Sequence, residues 1–156
     1  MNSKALESKW QKKWEKAKVF ESEPKDSQDK YFVNCPYPYM NGYLHLGHAF
    51  TYLRADMVSR YQRMKDKNVL FPFAFHCTGT PIVAAAQRVK EGEKIQINAL
   101  KQMGLDDKLI EKFSDPEEWT KHFPDKAIED LKRFGSSIDW RRSFITTSLN
   151  PPYDKF

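Results

Sequence analysis

No run of apolar residues approaches the roughly 18 that a membrane-spanning helix needs; the longest, Val69 to Phe75, is interrupted by Pro72. No apolar h-region follows the opening Met-Asn-Ser-Lys-Ala, so no secretory signal is visible. Only two cysteines occur, Cys35 and Cys77, far apart and in no Cys-x-x-Cys pair. That count and spacing indicate neither a disulfide framework nor a Cys-rich zinc site. Repeats and low-complexity tracts are absent. Mean hydropathy is low at −0.75, yet aromatics make up 14% of the 156 residues, too many for a disordered chain. The composition describes a soluble, intracellular, globular chain of one domain's length.

Charge is uneven. Of a net +5, residues 1–18 carry +4 from six lysines and two glutamates. A basic helix can meet a phosphate backbone, but a solvated helix face is the plainer reading. Charge alone does not show a nucleic-acid binder.

Ser3 can cap a helix to about Lys18, with Ala5, Leu6, Trp10, Trp14 and Ala17 on one stripe. Glu21 to Lys30 reads as a connector, and Tyr31–Cys35 as a strand stopped by Pro36. From Leu46, apolar residues recur at Phe50, Leu53, Met57, Tyr61 and Met64, the period of one long amphipathic helix. After a turn at Asp66-Lys67-Asn68, Val69–Phe75 reads as a second, buried strand. Strand, helix and strand make a βαβ unit, for which parallel strands and a right-handed crossover are expected. Thr80-Pro81 reads as an N-cap and first turn of a helix to about Lys90. Helices are expected at Ile95–Met103, Asp106–Phe113 and about Pro116–Phe134, the last broken or kinked near Pro124. The stretch Ser136–Phe156 reads as extended or irregular.

Ligands of open α/β sheets bind beyond the carboxyl ends of strands, beside helix N-termini. The first strand ends at Cys35, and the long helix opens at His45-Leu46-Gly47-His48. A helix start offers free N–H groups and a partial positive charge, which suit a phosphate. His45 and His48 are three apart, on one face, and either imidazole can donate to a phosphate oxygen. Gly47 between them lacks a Cβ, so a flat base could approach its backbone. Spacing alone favours an ordinary helix start over a phosphate site; position inside a βαβ unit shifts the balance. A zinc site is not indicated, since no carboxylate or third histidine stands at the needed spacing.

Pro36-Tyr-Pro-Tyr-Met-Asn-Gly-Tyr-Leu-His-Leu-Gly-His48 resembles the HIGH-motif region of class I aminoacyl-tRNA synthetases, with Leu46 in the isoleucine slot. Three more stretches resemble the leucyl-tRNA synthetases of archaeal and eukaryotic cytosolic type. They are Arg60-Tyr-Gln-Arg-Met64, Phe75-His-Cys-Thr-Gly-Thr-Pro-Ile82 and Phe134-Gly-Ser-Ser-Ile-Asp-Trp-Arg-Arg-Ser-Phe-Ile-Thr-Thr147. Isoleucyl and valyl enzymes typically show Trp-Asp-x-His-Gly-Leu-Pro where this chain has Phe75 to Pro81, and bacterial leucyl enzymes also differ there.

The resemblance implies an α/β fold, the N-terminal half of a Rossmann-type class I synthetase catalytic domain with an N-terminal helix and helical connecting segments. It implies four parts: 1–20, the N-terminal helix; 31–92, a first βαβ unit with the HIGH-type motif; 93–135, a helical connecting segment; and 136–156, an extended segment leading toward an insertion. The implied activity is leucine–tRNA ligation in the cytoplasm, with ATP, Mg²⁺ bound through ATP, leucine and tRNA(Leu), and without a membrane. His45 and His48 would be catalytic, and with Gly47 would bind ATP. Cys35, Tyr37, Tyr39 and His76 would bind leucine. Cys35 departs from the phenylalanine that relatives often carry.

Without the resemblance, Pro36-Tyr-Pro-Tyr39 reads as a stiff loop with packed rings, while a core and a functional reading of His76 balance. A Cys77–His76 nucleophilic pair is rejected, because adjacent strand residues point to opposite faces. Asp139-Trp-Arg-Arg142 reads as salt-bridged surface without a catalytic role. No Lys-Met-Ser-Lys-Ser-like stretch occurs, so the chain is expected to be an N-terminal piece: a truncated form, a split-gene subunit whose partner chain carries the KMSKS half, or a gene fragment. Two other classes remain open: a non-catalytic synthetase-like binding or assembly module, and another class I nucleotidyltransferase.

Overall fold

The computed structural model describes residues 3–155. They divide into two compact units, the first built from residues 3–37, His45–Ala74 and Ile128–Phe144. Helix α1 (Ser3–Ala17) opens it; Ser3, expected as the N-cap, is already helical. None of α1 is buried. Its lysines are solvated, and only Trp14 on the apolar stripe is half-covered, edge-on to Phe20 with ring centroids 5.7 Å apart.

Strand β1 (Lys30–Phe32), helix α2 (Leu46–Met64) and strand β2 (Asn68–Leu70) form the expected βαβ unit, with β1 and β2 parallel and Tyr31 opposite Val69. β1 is shorter than expected, although the Val33 N–H still donates to Leu70 O at 2.9 Å. The anticipated strand Val69–Phe75 is two pieces, β2 and β3 (Ala74–Phe75). Pro72 stands between them and has no N–H to give a ladder. The backbone at this break is used otherwise, since Phe71 O accepts the Asp139 N–H at 2.9 Å. Phe71 and Phe73 are fully buried despite the missing strand. Tyr52 meets Phe73 edge-on at 5.0 Å.

Helix α2 has the expected ends and period but presents the opposite face. An amphipathic helix ordinarily turns its apolar stripe to the core. Here that stripe is open: Leu46 is 89% exposed, Phe50 64%, Met57 62% and Met64 85%. The inward face is instead Tyr52, Asp56 and Ser59. Asp56 accepts Arg60 Nε at 2.7 Å and the Ser137 N–H, and Arg63 donates to Ser137 Oγ at 2.7 Å and its carbonyl at 3.0 Å. A polar clamp therefore holds α2 to the 135–137 turn.

The same turn leads to Asp139, whose side chain is fully buried. Burial raises its pKa, but bonds from the Arg141 guanidinium and the Ser22 and Arg141 amides outweigh that and hold it low. Arg141 also reaches Glu21 and Glu23. Asp139 and Arg141 are thus ion-paired as expected, but Asp139 lies in the core and not on the expected surface.

The second unit comprises Pro38–Leu44, Phe75–Ala127 and the residues from Ile145 on. Helix α3 (Thr80–Lys90) begins one residue early: Gly79, at φ 96°, is the N-cap, and Thr80 is already helical with Pro81 beside it. Helices α4 (Lys94–Gln102) and α5 (Asp107–Lys112) follow, α5 capped by Asp106 Oδ1, which accepts the Leu109 N–H at 2.8 Å.

Helix α6 (Pro116–Phe134) runs unbroken through Pro124. Proline forfeits one backbone bond; buried Trp119, Phe123 and Ala127 on one stripe hold the turns on either side. Trp119 Nε1 donates to Phe113 O at 2.8 Å inside an aromatic cluster with Phe123. The expected irregular tail holds more order: a 3-10 turn at Trp140–Arg142, strand β4 (Phe144–Ile145) pairing with β3, and the one-turn helix α7 (Pro151–Asp154). Phe75 is buried like Phe71 and Phe73, so all three are core residues. Among the described residues no helix is long and apolar enough to cross a membrane.

Candidate functional site

In the first unit, α2 starts with a reciprocal cap made by two histidines. His45 is the N-cap in extended conformation, and its Nδ1 accepts the Gly47 N–H at 3.1 Å. His48 reaches back, and its Nδ1 accepts the His45 N–H at 3.3 Å. The rings lie 4.0 Å apart at 33°, and His48 stacks on Tyr52 at 5.9 Å. With both Nδ1 atoms accepting, each neutral ring carries its proton on Nε2. Burial, reinforced by His45, lowers the His48 pKa, which favours that neutral form. The helix start therefore offers two imidazole N–H donors to an anion. The free-amide expectation is corrected in part, because the His45 and Gly47 amides are spent on the cap.

Gly47 is needed for a reason that spacing did not reveal. A Cβ there would lie 2.9 Å from His45 Cε1 and 3.1 Å from its Nδ1. The His45 ring folds over this residue, so the missing side chain makes room for the cap itself.

Cys35 and Tyr37 also belong to the first unit, but face different surroundings. Cys35 lines a shallow cleft of about 480 Å³ with Tyr31, Asn34, Thr51, Arg54 and Val58. Burial pushes its thiol up to about 11. The Tyr37 ring packs edge-on against Phe73 at 6.1 Å and Phe144 at 5.8 Å. Burial raises its hydroxyl pKa, helped by Cys35 and opposed by a hydrogen bond with Asn34.

In the second unit the structure joins Tyr39 and His76. A parallel bridge links them: the His76 N–H donates to Pro38 O at 2.8 Å, and the Met40 N–H to His76 O at 3.1 Å. Their ring centroids are 4.1 Å apart. His76 is half-buried, so it is not a fully enclosed core histidine, and its neighbour Tyr39 is exposed. Thr146 was missed by sequence reasoning. Its Oγ1 lies 3.2 Å from His76 Nδ1 and accepts the Cys77 N–H at 3.1 Å. Nothing in a Thr-Thr pair near a strand signals such a role. Cys77 is buried, which pushes its thiol up to about 12 and leaves it protonated and inert at neutral pH.

A family model described as tRNA synthetases class I (I, L, M and V) matches residues 9–152. The chain belongs to this family. Among relatives of this class I synthetase chain, a leucine–tRNA ligase of Aeropyrum pernix is 50% identical over 153 residues, 98% of this chain and 16% of the relative. A cytoplasmic leucine–tRNA ligase of Pongo abelii is 39% identical, covering 98% of this chain and 17% of its own length. In solved structures, a LeuRS of Agrobacterium radiobacter K84 in ternary complex with tRNA and LeuAMS aligns with a TM-score of 0.70. It covers 94% of this chain and 16% of that one, at 24% identity, which shows the class I synthetase catalytic-domain fold. The chain thus spans about a sixth of the length of the curated relatives it matches.

Proposed function

We propose that this chain is a leading part of a leucine–tRNA ligase, acting in the cytoplasm with ATP, leucine and tRNA(Leu), and that it supplies the ATP-phosphate and leucine contacts of amino-acid activation. The carrying observation is the reciprocal histidine cap, which uses both Nδ1 atoms and leaves the Nε2–H of each ring as a donor at a helix start. In activation a leucine carboxylate oxygen attacks the ATP α-phosphorus, a new P–O bond forms, and the bond to the bridging oxygen breaks as pyrophosphate leaves. Negative charge crowds that phosphorus, so positioning and fixed donors lower the barrier.

His45 and His48 hold phosphate oxygens, and the helix dipole adds its partial charge. Gly47, by leaving room for the His45 ring, keeps the donor pair in place beside the nucleotide. Mg²⁺, used with ATP by class I synthetases generally, would arrive on the phosphates and offset their charge. Among the described residues no cluster of three His, Cys, Asp or Glu side chains could hold a metal on its own. Tyr39 and His76, paired in the second unit, and Tyr37, in the first, are each read as leucine contacts. Cys35, also read as a leucine contact, lines a cleft with Thr51, Arg54 and Val58, so its substitution should disturb leucine least.

Calorimetric titration with ATP tests the reading. His48→Ala should weaken ATP binding by about 1–3 kcal/mol, the range for a hydrogen bond to a charged group left unmade. Equal affinities in wild type and variant would remove the phosphate role.

A further inference from the structure

Helix α1 meets the rest of its unit along one narrow line. Gln11 and Trp14 are the helix residues that are not fully exposed. Gln11 Nε2 donates to Arg133 O at 2.9 Å, and Trp14 lies edge-on to Phe20. Each residue of a helix turns by about 100°. That places Lys9, Lys12, Lys13 and Lys16 in one arc opposite the docked line, with Ala5 among them. All four lysines are exposed. The acids of α1, Glu7 and Glu15, fall outside the arc, and Glu15 is spent on Lys132 at 3.6 Å. Trp10 flanks the lysines, 45% exposed, with Lys13 Nζ 4.7 Å from its ring centroid.

A helix face that serves solubility alone intersperses both signs; this one carries a single sign and attracts a polyanion. A bilayer fits poorly, because a membrane-surface helix turns its apolar face outward, and Trp14 on that stripe is turned to the protein. An acidic peptide would engage the lysines but has no flat base for Trp10. An RNA strand uses both, with phosphates on the lysines and an unpaired base on the indole.

We propose that the face of α1 formed by Lys9, Lys12, Lys13 and Lys16, with Trp10 beside it, binds a single-stranded stretch of RNA without reading its sequence. This surface shares no residue with the histidine cap or the leucine contacts, and it stands whether or not the chain activates leucine.

Fluorescence anisotropy of a labelled oligouridylate of about 12 nucleotides, a length one such surface can cover, tests it on the whole chain. With four lysines on phosphates, affinity should fall about fiftyfold between about 50 and 200 mM salt. Lys9→Gln, Lys12→Gln and Lys16→Gln together should flatten the log–log salt slope by about 2, the share of three contacts. The same three positions changed to arginine should keep the slope. Glutamine and arginine match lysine as helix formers, so circular dichroism should show α1 intact in both variants. Lys94→Gln, Lys108→Gln and Lys112→Gln remove the same charge from exposed positions on α4 and α5 and should leave the slope in place. Trp10→Leu should weaken binding about tenfold at an unchanged slope, the worth of one lost stack.

An unchanged slope in the folded glutamine variant of α1 overturns the proposal, and so does an equal flattening in the α4–α5 variant. If the glutamine variant fails to fold, the arginine variant decides, since a flattened slope there contradicts the phosphate contacts. Unchanged affinity in Trp10→Leu removes the base stack and with it the single-strand assignment. Tighter binding of polyglutamate, or of vesicles with about one-fifth phosphatidylserine, than of oligouridylate at the same salt contradicts RNA as the occupant.

Discussion

Gly47 and His48 tie local structure to chemistry. Replacing Gly47 with alanine adds helix propensity worth up to about 1 kcal/mol. The same Cβ displaces the His45 ring, 2.9 Å away, and loses a cap worth about 1 kcal/mol. These effects nearly offset, so Gly47→Ala is expected to melt close to wild type while binding ATP more weakly. Thermal melts and calorimetry on one preparation separate the two; a large fall in melting temperature would mean the backbone itself had clashed.

His48 adds a pH dependence. Its folded-state pKa lies below the ordinary 6.5, so from about pH 6.5 downward the unfolded chain takes up the proton first. Stability contributed by the cap is therefore present above that pH and lost as pH falls through the folded value. Urea titrations at successive pH values should show this decline in wild type and a smaller one in His48→Gln. The HxGH pattern was legible in the sequence because it is contiguous. The reason for its glycine was not, because it depends on where the His45 ring turns.

Helix α2 shows what periodicity can and cannot tell. Its apolar spacing located both ends, but a period names a stripe without saying what covers it. The clamp of Asp56, Arg60 and Arg63 on Gly135 and Ser137 joins residues more than seventy positions apart, and no local pattern signals that pairing. Asp56→Ala strands the buried Ser137 amide and removes the carboxylate partner of the part-exposed Arg60, and should destabilise the chain by about 1–3 kcal/mol in urea unfolding. A loss under about 1 kcal/mol would mark the clamp as incidental. The split of the second strand at Pro72 has the same origin: the apolar run was legible, while the Asp139 bond that occupies its backbone was not.

The open stripe of α2 sets the behaviour of the isolated chain. Leu46, Phe50, Leu53, Met57, Tyr61 and Met64 follow steps of four and three, a seam that a second copy can match. The isolated chain is expected to self-associate through it. Phe50→Glu with Met57→Glu should shift sedimentation to a monomer without lowering stability, since neither side chain is buried. A wild-type chain that stays monomeric at high concentration would contradict this.

For the whole molecule, class I synthetase membership is carried by a family match over residues 9–152, and its fold by the solved LeuRS. The chain contains no Lys-Met-Ser-Lys-Ser-like stretch, which the resemblance assigns a share of the charge on ATP. The 156-residue chain alone is therefore expected to bind ATP and leucine weakly and not to charge tRNA(Leu) efficiently. Efficient charging by the chain alone would refute the fragment reading.

The central claim, that this chain handles ATP phosphates at the start of α2 and leucine at Tyr39 and His76, is tested most directly by one histidine-detected titration. ATP should move the Nε2–H signals of His45 and His48 and leave His122 in place, and leucine should then move His76. ATP that binds without disturbing His45 or His48, or that does not bind at all, would contradict it.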